Sequence, residues 1–180
     1  MNLIFLYTLL AGIFFLGLGF FFLFNREDFK QKSISFLRSQ NWAYILFGLS
    51  TLWFVYILSQ LGEADFGDFK MILILIFGGA GLLSFFFLED FLSVRGLCIL
   101  LLLSSRAILD AAFMQDIPAR LVVVSISYIV IVFSIYVGCL PYRLRDFFNY
   151  IYAKSIRQKT FALTLTSTGV AILASTLFYF

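Results

Sequence analysis

Residues 91–114 read FLSVRGLCILLLLSSRAILDAAFM, a stretch apolar enough to cross a bilayer that nevertheless carries Arg95, Arg106 and Asp110. Runs of this kind fill most of the chain. Of its 180 residues 62% are hydrophobic, 20% aromatic and only 13% charged, with a mean hydropathy of +1.01; an ordinary soluble domain is about 45–50% apolar. A chain this short has too little interior to hide several near-uncharged runs of about 20 residues each. It is therefore read as an all-α, polytopic integral membrane protein, because a helix satisfies its backbone within one segment.

Working outward from that stretch, six spans are expected, at residues 2–24, 42–61, 71–88, 91–114, 121–140 and 161–180, forming one transmembrane domain over 1–180. The first has no charge over 23 residues, and at ~1.5 Å per residue it is long enough for a hydrocarbon core of ~30 Å. It lacks the basic start and small-residue cleavage site of a secretory signal, so it is expected to be retained.

Two connectors are long and basic. In 141–160, PYRLRDFFNYIYAKSIRQKT, the residues Leu144, Phe147, Phe148, Ile151 and Tyr152 recur at helical spacing, which predicts an amphipathic helix lying in the interface. Residues 25–41, NREDFKQKSISFLRSQN, carry Phe29, Ser33, Phe36 and Leu37 in a similar pattern, read either as a second interfacial helix or as a solvated loop. Displaced by 119 residues the two connectors align weakly, Arg26 with Arg145 and Arg38 with Arg157. A genuine repeat would relate the two segments by an axis along the membrane normal.

With six spans, ten of the 13 Lys and Arg residues share one side: Arg26, Lys30, Lys32, Arg38, Arg95, Arg143, Arg145, Lys154, Arg157 and Lys159. The other side holds Lys70 and Arg120, and Arg106 lies within a span. The positive-inside bias then places the ten in the cytoplasm and both termini outside it. The expected location is a bacterial inner (plasma) membrane. The bilayer is the first partner, and anionic headgroups suit Arg143, Arg145, Lys154, Arg157 and Lys159. No nucleic-acid recognition module accompanies these charges.

Chemistry is sparse. There is no histidine, which removes imidazole bases, Ser-His-Asp chemistry and His-bound metals together. Cys98 and Cys139 fall inside apolar runs and are read as unreactive thiols. No catalytic residue, metal site or cofactor is expected. Glu89 and Asp90 are adjacent and would point about 100° apart on a helix, so they suit a helix start better than an acid–base pair.

The candidate intramembrane polar site is the fourth span's charged face. Arg95 and Arg106 are 11 positions apart and project within about 20° of each other, with Asp110 one turn beyond Arg106. The expected Arg106–Asp110 ion pair either lines a polar cavity or snorkels to the outer interface from the end of a short span. Gly78, Gly79 and Gly81 in the third span are read as a packing face. Antiparallel packing of spans three and four would set Gly78 at the depth of Arg106. Thr164, Thr168, Ala171 and Ser175 form a second stripe of small residues on the sixth span.

Three functions fit these residues. A non-enzymatic membrane subunit or scaffold, packing with other membrane subunits or with copies of itself, fits the small-residue faces and the scarcity of polar chemistry. A small transporter or channel would use the Arg106/Asp110 pair, and a lipid-acting enzyme would need polar residues converging at an interface.

Overall fold

The computed structural model describes residues 3–24, 28–62, 66–87 and 91–179. Among these residues there is no strand, and eight α-helices follow in chain order: α1 (Leu3–Phe24), α2 (Asp28–Leu37), α3 (Gln40–Ser59), α4 (Lys70–Phe87), α5 (Leu92–Ala112), α6 (Arg120–Cys139), α7 (Tyr142–Tyr152) and α8 (Ser155–Thr176). Both basic connectors are helical, as α2 and α7. Glu89 and Asp90 lie outside the described residues.

Five of the helices, α1, α3, α4, α5 and α6, are long and apolar enough to cross a membrane. The sixth expected span coincides with α8, which has the length, 22 residues, but not the composition. Its first turns carry Arg157, Gln158 and Lys159, and seven hydroxyl-bearing side chains follow from Thr160 to Thr176. All seven hydroxyls donate to a carbonyl three or four residues back, as Thr164 does to Phe161 and Ser175 to Ile172. These internal bonds satisfy the donors without help from a second helix.

The first and last helices share the most extensive contact in the molecule. Glycine makes it possible: a Cβ on Gly169 would lie 2.7 Å from the backbone nitrogen of Leu16, and one on Gly19 would lie 2.8 Å from that of Thr166. At one end the buried Gln158 donates through Nε2 to the Phe22 carbonyl at 2.8 Å, and the Phe22 ring meets Phe161 edge-on at 5.2 Å. At the other, the hydroxyls of Thr8 and Tyr179 are 3.2 Å apart. The helix α8 thus accompanies α1 along its full length, antiparallel.

The centre is α5, packed on α3, α6 and α1. It meets α3 at Gly96, where an added Cβ would sit 2.5 Å from the Phe47 nitrogen. Here the structure departs from the expected order of helices, because α4 packs on α3 and not along α5. The reason is local to α3: Phe85 of α4 stacks on Tyr44 at 5.4 Å and meets Phe47 edge-on at 5.3 Å, Phe77 meets Phe54 at 5.3 Å, and Gly81 receives the Thr51 methyl. With α3 already seated against α5 through Gly96, these aromatic rungs draw α4 to its outer flank.

The short helices close one end. Leu37, Val94, Cys98, Val137 and Leu144 form a buried cluster joining α2, α5, α6 and α7, and the Ser93 hydroxyl lies 2.9 Å from the Phe36 carbonyl and 3.0 Å from that of Leu37. The opposite end gathers Ile4, Ala112 and Tyr179. Ile4 and Tyr179 therefore lie away from α2 and α7.

The glycine contacts differ in what they tolerate. Gly96→Ala pushes a methyl into α3 backbone and is expected to destabilise the fold by about 1–3 kcal/mol. Gly79→Ala, where nothing lies within 4 Å of the added carbon, is expected to be neutral. Unfolding midpoints in mixed micelles check both.

Candidate functional site

The charged face of α5 is built as its spacing predicts. Arg106 Nε and Asp110 Oδ2 are 3.4 Å apart, an i,i+4 pair whose side chains are 56% and 69% exposed. Both sit in the last two turns of α5, and Arg106 begins about 9 Å from the helix end at ~1.5 Å per residue. That is within reach of an interface for a guanidinium on its flexible stem. Arg95 is half-buried in the first turn, at the end closed by α2 and α7. The structure thus aligns the three charges on one helix and brings Arg106 and Asp110 together, with Arg95 at the far end.

Neither Arg106 nor Asp110 faces the interior. The internal space is a partly open cavity of about 480 Å³ bounded by α1, α3, α5, α6 and α8, in the half of the bundle away from α2 and α7. No charged residue lines it. Its walls are aliphatic and aromatic, represented by Phe14, Trp53, Leu101, Ile126 and Ile172, with the hydroxyls of Tyr7, Ser104, Ser105 and Ser127 as the polar contributions. Ser104 donates to the Leu100 carbonyl and Ser127 to that of Val123.

The small residues divide differently from the expected stripes. Gly81 is buried against Thr51, a Cβ added at Gly78 would lie 3.9 Å from the Val55 side chain, and Gly79 has nothing within 4 Å of where its Cβ would be. None of the three is placed to shelter Arg106. On α8, Ser175 is buried, Thr168 is half-buried, and Thr164 and Ala171 are exposed. The face turned to α1 is instead Ala162, Gly169 and Thr176, spaced by seven.

Two polar groups have roles that the sequence does not announce. Gln158 belongs by sequence to the basic connector, yet it reaches the last turn of α1, where carbonyls lack an in-helix donor. Arg120 was counted only for topology, whereas its Nη1 donates at 2.9 Å to the Ala112 carbonyl at the end of α5. Ser134, which with Ser127 belongs to the small residues of the fifth span, is fully buried and its hydroxyl has no hydrogen-bond partner among the described residues. A Gln directly after a basic residue at a helix start, facing an apolar span, is the one signal that was available.

At the closed end the cations lie on the surface. Arg157 stacks over Tyr150 at 4.0 Å and Arg38 over Phe91 at 5.6 Å, while Arg145 pairs with Asp146 at 3.1 Å. Between α2 and α7, burial pushes the Tyr152 phenol above its ordinary range, opposed by a hydrogen bond with Ser33. Among the described residues no group of three or more Cys, Asp or Glu side chains comes together as metal ligands would.

Comparison with known proteins finds no match, whether to a protein-family model, a curated protein or a solved structure.

Two outcomes follow from this geometry. A double-mutant cycle on Arg106→Ala and Asp110→Ala is expected to give a coupling below about 1 kcal/mol, as for solvated pairs, whereas several kcal/mol would place the pair in hydrocarbon. The folded state favours the neutral Tyr152 phenol, so the stability this residue contributes is complete below the ordinary value of 10.0 and is lost as pH rises through and beyond it. Tyr152→Phe is expected to flatten the alkaline limb of a pH–stability curve.

Proposed function

We propose that the chain is a non-enzymatic subunit or scaffold of a membrane assembly, with α8 as a sixth crossing and both termini outside the cytoplasm of a bacterial-type plasma membrane. The observation that carries the reading is α4. It is attached to the bundle through α3, its outer surface is aliphatic and aromatic, and Gly79 leaves an unfilled notch in that surface. In lipid, apolar side chains gain little by leaving hydrocarbon for protein, so helices associate where small residues let backbones approach. A peripheral helix with an open glycine is suited to receive a helix from another polypeptide.

The crossing of α8 is supported by its full-length pairing with α1 and by the internal bonding of its hydroxyls. The orientation is supported by α2 and α7, which pack on each other and so bring the two basic connectors to one end. Transport through the Arg106/Asp110 pair is not favoured, since the pair points outward and the cavity is lined by no charge.

Photo-crosslinking in native membranes tests the assembly. A reactive group at residue 79 is expected to give an adduct of discrete mass, a dimer if the partner is a second copy, and a group at exposed Val170 is expected to give lipid adducts. Lipid adducts at both sites would overturn the reading. Impermeant thiol labelling should reach cysteines at residues 35 and 150 from the cytoplasm and one at residue 114 from the other side; 35 and 150 on opposite faces would overturn the topology.

A further inference from the structure

The cavity has a shape and a lining that specify an occupant. Both α1 and α3 pack on α5, and they leave a gap between them that is flanked by Leu10 and Phe14, both about half exposed, and by Trp53. The floor is α5, from Leu97 to Ile108, and the back is α6 with Ile172 of α8. Every wall belongs to a long helix, so a lateral gap at this depth opens on acyl chains and not on water. A volume of about 480 Å³ lies within the range of small-molecule sites, ~300–1,000 Å³, and the apolar walls with a few hydroxyls match the usual character of such sites.

One polar group makes the site more than a packing defect. Ser105 is 3% exposed and lines the cavity, yet its hydroxyl makes no hydrogen bond among the described residues, while the neighbouring Ser104 and Ser127 are satisfied by carbonyls of their own helices. A donor in low dielectric with no acceptor is unfavourable, and plain hydrocarbon supplies none. A chain bearing a carbonyl oxygen does.

We propose that this cavity binds one membrane lipid molecule through a hydrocarbon chain that carries a carbonyl oxygen, entering between α1 and α3, lying along α5 and accepting a hydrogen bond from Ser105. Two lipid sources share that chemistry, the fatty-acyl ester of a glycerolipid and an isoprenoid quinone. This site lies off the α4 surface, so it stands or falls independently of the assembly proposed above.

Trp53 reports on occupancy. With Trp42→Phe removing the other tryptophan, the full chain in mild detergent is titrated with phosphatidylcholine brominated on its acyl chain and, separately, with a ubiquinone, both of which quench indole fluorescence. One of the two is expected to quench Trp53 saturably at about one molecule per chain, and which one does so identifies the source. Ala107→Phe on α5 and Ala11→Phe on α1, two cavity-filling changes made independently, are each expected to weaken binding at least about tenfold. Ser105→Ala is expected to weaken the carbonyl-bearing ligand severalfold and to leave a brominated alkane unaffected. Ala171→Phe, on the exposed face of α8, is the control expected to bind as the parent does. Helicity by circular dichroism identifies any variant that has failed to fold, leaving the other filler to decide. Quenching that rises linearly with ligand for both probes, or saturable quenching that persists in a folded filler variant, overturns the proposal.

Discussion

Everything in this fold depends on how closely two backbones can approach when nothing apolar drives them together. Lipid chains solvate leucine as well as another leucine does, so a helix pair in a bilayer is held by dispersion contacts and a few hydrogen bonds, both of which need proximity. The protein obtains it at glycine. Gly169 and Gly19 seat the last helix on the first, and Gly96 seats α3 on α5. Where a glycine brings backbones together, polar groups become useful: Gln158 reaches the Phe22 carbonyl across the α1–α8 contact, and Thr8 meets Tyr179 at its far end. Joining the first helix to the last in this way closes the bundle, and the contact between α2 and α7 ties the two basic connectors together at one end.

The same physics explains what could be read before the structure and what could not. Five of the six expected apolar helices were legible, because uninterrupted apolar runs such as 3–24 leave a helix as the only satisfied conformation in hydrocarbon. The amphipathic helix α7 was legible from Leu144, Phe147, Phe148, Ile151 and Tyr152, and the Arg106–Asp110 pair from i,i+4 geometry alone. Neighbour order was not. Gly78, Gly79 and Gly81 announce that something packs closely on α4, but nothing in their spacing says that it is Thr51 of α3 and not Arg106 of α5. On α8 the stripe Thr164, Thr168, Ala171 and Ser175 competed with Ala162, Gly169 and Thr176, two sets of small residues on one helix, and only the complementary glycines of α1 decide between them. Hydropathy sets α8 apart from the five apolar helices, since a sum over residues charges each hydroxyl as if it were unbonded, whereas the seven from Thr160 to Thr176 are bonded within the helix.

The two ends of the bundle are built for different purposes. At one, α2 and α7 lie across the helix termini, Ser93 ties α2 to α5, and aromatic and aliphatic side chains fill the space beneath; the cations are left outside, several resting on aromatic faces. At the other, Ile4, Ala112 and Tyr179 pack together, and the cavity lies between the long helices in that half. The sealed half carries hydrophobic packing with Ser93 and Ser134 buried in it, and the hollow half has apolar walls with a few hydroxyls. Arg106 and Asp110 project from the outer side of α5, and Arg120 is occupied in capping it. The two proposed occupants use separate surfaces, the gap between α1 and α3 for an apolar chain and α4 for a neighbouring helix. Both surfaces are reached sideways from within the bilayer, which fits a protein whose partners are themselves dissolved in lipid.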